Sequence, residues 1–106
     1  LIPVDFRQPE QPAYEDSCAS CVIAGGLLEL SRCVPDYERP IYRNAAIRLL
    51  RAIDEKRADW GHNCDAIVQN CTGAYHADSH HFTMVYADYF FIEAIYKLKD
   101  IGRLLW

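Results

Sequence analysis

The sequence predicts an all-α fold of three helices, with a long loop between the second and third. Two apolar runs of helical length, Cys18–Leu30 and Tyr86–Lys99, flank a segment with one-sided helical periodicity, Ile41–Lys56. Within the loop, short strands are expected around Ala66–Val68.

The elements follow in order. Residues 1–15 carry Pro3, Pro9 and Pro12 among polar residues, so they read as an extended lead-in. Asp16 and Ser17 then offer an N-cap to the first helix, whose strongly polar members are Ser20 and Glu29. A helix apolar nearly all round is expected to be buried. Gly25 and Gly26, each costing about 1 kcal/mol against Ala in a helix, are expected to mark close approach of another element. Pro35 ends this helix and Pro40 opens the next at a favourable first-turn position. In the second helix Ile41, Tyr42, Ala45, Ala46, Leu49, Leu50 and Ile53 form the apolar stripe. Arg43, Asn44, Arg48, Arg51, Asp54 and Glu55 form the solvated side. Residues 59–81 have no helical period and read as a loop long enough to expect a function of it. The third helix carries Tyr89, Phe90, Phe91, Ile92, Ala94, Ile95 and Leu98, and is again apolar on nearly every face. Three helices cannot bury two such helices among themselves. The pattern therefore implies a larger body around them, either a partner subunit or a longer chain of which this is a piece. The start at Leu1 rather than Met carries the same expectation.

Composition narrows the function classes. The 106 residues allow one domain, and a net charge of −4 with no run of basic residues argues against nucleic acid. No apolar run approaches the roughly 18 residues of a membrane span, and Leu1 is followed by Pro3, Asp5 and Arg7 rather than by a secretory leader. Five cysteines, an odd number set among apolar residues, read as free thiols of a reducing cytoplasm.

Cys18-x-x-Cys21 has knuckle-like spacing, and Cys64, Cys71, His76, His80 and His81 share the loop. A second short Cys pair is missing, so buried thiols read better than a zinc site, and no metal or cofactor is expected. A Cys71–His nucleophilic pair, or paired carboxylates among Asp65, Asp78 and Asp88, has no support from spacing alone. Asp16-Ser17 and Asp88 stand at the starts of the two apolar helices. Such starts act as capping sites or, where they face one opening, as an anion site.

Several segments resemble the unsaturated glucuronyl hydrolases, glycoside hydrolase family 88. Pro3-Val4-Asp5-Phe6, Asp16-Ser17-Cys18-Ala19, Gly26-Leu27-Leu28-Glu29-Leu30 and Tyr86-Ala87-Asp88-Tyr89-Phe90-Phe91-Ile92-Glu93-Ala94 are similar, in this order, to stretches of its carboxy-terminal portion, as is the ending Leu105-Trp106. The resemblance implies that residues 1–106 are the last helices of an (α/α)6 toroid, a helical hairpin segment in which inner and outer helices alternate. It implies an enzyme that removes an unsaturated uronic acid from glycosaminoglycan-type oligosaccharides by hydrating a vinyl ether, without metal or organic cofactor. The family's catalytic aspartates lie in its amino-terminal half, so no catalytic residue is expected in this chain. Ser17, Tyr75, His76 and Tyr86 are expected to line the sugar pocket. Sulfate-preferring members resemble Ser-x-x-Ser-x-Lys where this chain has Cys71-Thr72-Gly73-Ala74-Tyr75-His76, which lacks the fixed ammonium. The alternative is a helical interaction module, and either reading leaves the isolated chain self-associating through its apolar helices, with Phe90, Phe91, Ile92 and Ile95 as the expected contact.

Overall fold

The computed structural model describes residues 1–62 and 64–101. Its elements are α1 (Ser17–Cys33), α2 (Arg39–Arg57) and α3 (Val85–Leu98), an all-helical architecture with no strand among the described residues. The expected Ala66–Val68 strand is a single bridge, Val68 to Ala58. Asp16 caps α1 through its side chain, and Pro40 lies in the first turn of α2. The lead-in folds back on itself: Pro3 bridges Glu15, Val4 N–H donates to the Tyr14 carbonyl, and Ile2 N–H donates to Ser20 Oγ. Leu105 and Trp106, which end the motif series, lie outside the described residues.

Helix α1 is the centre of the packing. It touches both α2 and α3, which scarcely touch each other. Its buried face is a stripe of mostly small residues, Ser17, Ser20, Cys21, Ala24, Gly25 and Ser31, joined by Leu28. Small side chains let two neighbours close in on one helix. Ser20 and Ser31 turn their hydroxyls back to the carbonyls of Asp16 and Leu28, so neither carries an unmet donor into the core. Ala46, Leu50 and Ile53 of α2 and Ala87, Phe91 and Ala94 of α3 complete the core, with Val68 and Cys71 from the loop. Glu93 is also buried there, its carboxylate 3.3 Å from Lys97 Nζ one turn along.

Burial bears on three expectations. First, three helices do not cover α1 and α3 all round: Val22, Ile23 and Leu30 of α1, and Val85, Tyr86, Ile92 and Tyr96 of α3, are exposed. The larger aliphatic side chains of α1 thus tend to face outward and its small ones inward, the reverse of an ordinary surface helix. Second, Phe91 is 2% exposed, packed inside the chain and close to Trp60, while Phe90 and Ile95 lean on the same core. Of the four residues expected at an intermolecular contact, Ile92 alone is exposed. Third, Ile41 is 64% exposed and does not belong to the buried stripe of α2.

The two helix glycines differ in kind. A Cβ on Gly25 would stand 4.0 Å from that of Ala94, where α3 crosses. A Cβ on Gly26 would meet nothing within 4 Å, so nothing in this chain requires a glycine there. Gly26→Ala is therefore expected to stabilise the chain by about 0.5–1 kcal/mol, through the lower backbone entropy cost of Ala in a helix. Urea denaturation measures this directly, and an unchanged or lower midpoint contradicts the assignment.

Candidate functional site

The described residues between α2 and α3 form no regular element, yet they are held at defined points. Asp16 accepts hydrogen bonds from the N–H groups of Cys18 and Ala19, which caps α1, and from Thr72 N–H at 3.2 Å. Asp88, in the first turn of α3, accepts from Ile67 N–H at 3.1 Å and Val68 N–H at 2.7 Å. Ser17 N–H donates to the Asn70 carbonyl. Residues 67–72 are thereby laid across the amino-terminal ends of both apolar helices. Of the two roles open to these aspartates in the sequence, the structure gives capping and pinning: the chain's own carboxylates take up the N–H groups that an incoming anion would use.

Beyond this segment the loop gathers rings. Cys71 and Phe82 exchange both backbone hydrogen bonds, closing the turn that carries Tyr75, His76 and His80. Tyr14, from the lead-in, stacks on His80 with ring centroids 3.8 Å apart and planes 8° from parallel. Its ring also lies 5.4 Å from Tyr75 and 5.6 Å from His81. Tyr75 Oη donates to the Pro12 carbonyl at 3.0 Å. His80 Nε2 donates to the Tyr75 carbonyl at 2.9 Å; a carbonyl oxygen can only accept, so Nε2 carries a proton. His81 Nδ1 is hydrogen-bonded to Asn70 Oδ1, and its Nε2 has no partner among the described residues. Asn70 and His81 both adopt left-handed backbone, with φ of 63° and 60°. That conformation is costly for a residue with a Cβ, and here it aims the two side chains at each other. The result is a pre-set surface of two tyrosines and three histidines, offering ring faces and hydrogen-bonding nitrogens.

Of the expected pocket residues, Tyr75 and His76 come together in this cluster, ring centroids 5.0 Å apart. Ser17 is fully buried and its Oγ has no hydrogen-bond partner among the described residues. Tyr86 stands 65% exposed on the first turn of α3. Tyr14 and Asn70 belong to the cluster but gave no signal in the sequence, and Thr72 appeared there only within the Cys71–His76 segment. The adjacent His80-His81 was visible there only in the metal and nucleophile readings. Among the described residues no group of three or more His, Cys, Asp or Glu side chains is placed to hold a metal ion.

The thiols divide by burial. Cys33 and Cys64 are exposed, while Cys21 and Cys71 are buried. Burial raises the pKa of Cys21 far above the ordinary thiol value, the neighbouring Cys18 and Cys71 adding to it. Burial and Asp16 push Cys71 up to about 11. A buried thiol held protonated is a poor nucleophile, which removes Cys71 as partner for a loop histidine. No helix among the described residues is long and apolar enough to cross a membrane. Compared with protein-family models, with curated proteins and with solved structures, the chain has no match.

Two outcomes follow from this geometry. Asp88→Ala removes the acceptor of two loop N–H groups, of buried Val68 and half-buried Ile67. Leaving the buried one unmet should lower stability by about 1–3 kcal/mol, with faster hydrogen exchange at Ile67 and Val68; protection unchanged at both amides would refute the pinning role. The raised thiols have their own signature. Below pH 9 folded and unfolded chains both keep the Cys71 proton, so its contribution is intact. Between about pH 9 and 11 the unfolded chain loses that proton while the folded one retains it, and stability falls. Cys71→Ala should flatten this alkaline decline, as read from denaturation midpoints across that range.

Proposed function

We propose that this chain is the carboxy-terminal part of a glycoside hydrolase that removes unsaturated uronic acid from glycosaminoglycan-type oligosaccharides, and that its ring cluster forms part of one wall of the sugar pocket. The observation that carries this reading is the cluster of Tyr14, Tyr75, His76, His80 and His81, held at the amino-terminal ends of α1 and α3 beside the segments that carry the resemblance. Ring faces pack against the C–H faces of a pyranose, and imidazole nitrogens exchange hydrogen bonds with its hydroxyls. The outward apolar residues of α1 and α3 support the same reading, since further helices of an (α/α)6 toroid would cover them.

In this reading the chain binds and does not catalyse. A general acid must present its proton to the substrate, whereas Asp16 and Asp88 spend their oxygens on backbone N–H groups. The vinyl ether would be protonated by an aspartate from the preceding part of the enzyme. Tyr75 and His76 would orient the sugar, and Tyr86 would contribute only if that part folds over α3. No metal or organic cofactor enters the reading, and the proposed compartment is cytoplasmic.

A second reading, self-association without catalysis, is favoured by the same exposed residues: Val22, Ile23 and Leu30 on α1 with Val85, Ile92 and Tyr96 on α3. One set of measurements separates the two. The reading frame upstream of Leu1 should encode several hundred residues bearing the family's aspartates; a start codon immediately before Leu1 overturns the hydrolase reading. The isolated chain should leave the ultraviolet absorbance of an unsaturated disaccharide unchanged, and turnover abolished by Asp88→Asn would contradict the division of labour. Self-association is read by light scattering at high micromolar concentration. Ile92→Asp should disperse the assembly and leave the fold intact, whereas Phe91→Asp should unfold the chain.

A further inference from the structure

At the opposite end of α1 the fold assembles what the sequence disperses. Arg32 from the last turn of α1, Arg39 and Arg43 from the start of α2, and Lys97 from the last turn of α3 line one cavity of about 350 Å³, with Leu28 and Asp100. Four of the eleven Lys and Arg residues of a chain with net charge −4 thus share one concavity. From this we infer that the cavity is a binding site for a doubly charged oxyanion group, of the phosphate or sulfate class.

Three of the cations have duties inside the chain. Arg32 donates to the Lys97 carbonyl at 3.0 Å and pairs with Asp100, and Arg39 Nε donates to the Ser31 carbonyl at 3.1 Å. Both thereby satisfy carbonyls at the carboxy-terminal ends of α3 and α1, where positive charge is favoured. Lys97 lies between Glu29 and Glu93. Those duties do not explain Arg43, which has no hydrogen-bond or ion-pair partner among the described residues. Nor do they explain its position. Arg39 and Arg43 are four residues apart, so like charges are stacked on one face of α2. They also sit at the amino-terminal end of that helix, where the dipole disfavours cations, and its first turn holds no acidic residue and no side-chain cap.

An oxyanion in the cavity would reverse each of these costs. It would separate the two like charges, complement the helix start, and give Arg43 an acceptor for its guanidinium fork. Three carboxylates compete for the arginines: Asp36, 2.9 Å from Arg39, has a side chain 90% exposed, Asp100, 2.7 Å from Arg32, one 84% exposed, and Glu29, shared at 3.4 Å between Arg32 and Lys97, one 48% exposed. Exposed pairs of this kind are readily exchanged for a doubly charged ligand. At about 350 Å³ the cavity has room for such a group together with part of the molecule that carries it. The site lies away from the ring cluster, so it stands or falls independently of the proposed hydrolase role.

The test uses the whole chain, titrated with inorganic phosphate and separately with sulfate, each against chloride at matched ionic strength. The readouts are calorimetric heat and the arginine side-chain NMR resonances, because sulfate stabilises many proteins through unsaturable exclusion effects that melting alone would not separate. Saturable binding in the low-millimolar range or tighter is expected, with shifts concentrated at Arg32, Arg39 and Arg43. Arg43→Gln should weaken it at least tenfold and Arg43→Lys less, while Arg48→Gln, outside the cavity on the solvated side of α2, should leave it unchanged. Phosphate binding that strengthens from pH 6 to pH 8, as the second proton leaves, with sulfate flat over that range, supports recognition of the dianion. Non-saturable responses, or equal affinity in Arg43→Gln and the parent chain, overturn the inference.

Discussion

Two carboxylates set the architecture of this chain. Asp16 and Asp88 between them accept from five backbone N–H groups, two within α1 and three in the loop that crosses both helix starts. A charged acceptor makes a hydrogen bond roughly twice as strong as a neutral one, and here five such bonds stand in for regular structure. Through them α1 and α3 share one covering segment at their amino-terminal ends. Val68 and Cys71 can then enter the core as if they belonged to a strand. The ring cluster hangs from the same segment, since Asn70 and Thr72 bond to the backbone or side chain of His81.

The two ends of α1 consequently differ in chemistry. At its start, charge is spent on backbone and the accessible groups are aromatic and imidazole rings. At its end, cations from three helices converge, and part of their capacity is turned on orphan carbonyls. Between the ends, the inward stripe of Ser, Cys, Ala and Gly brings both neighbours close at the cost of turning Val22, Ile23 and Leu30 outward.

The helices were legible because their signals are local. Asp16 before an apolar run, Pro35 after it, and Pro40 at the next start each act within one turn, and the observed boundaries lie within three residues of those the pattern implies. Helix orientation was not legible. A run that is apolar on nearly every face has no periodicity to say which side is covered, and the small-residue face of α1 carries less hydrophobic weight than the face left outside. The loop was opaque for another reason. Tyr14 meets His80, and Asp88 meets Val68, across long stretches of chain, and no local pattern encodes such a meeting. The positive φ at Asn70 and His81 had no glycine to announce it. The four cations, scattered from Arg32 to Lys97, form a cluster only after folding.

That α2 and α3 both rest on α1 and hardly on each other bears on the order in which the chain assembles. The α1–α2 interface closes across the short link of residues 34–38, so little chain entropy is lost before its apolar contacts are gained. Docking α3 closes the whole stretch from residue 34 to residue 84, and the loop within it is tied to both helix starts, through Asp16 and Asp88. The helical hairpin is therefore the kinetically accessible half, and α3 with its loop is the half whose docking lags. Slow steps in refolding should accordingly belong to the segment that also carries the rings, so the most chemically furnished surface of the molecule is the last to take shape.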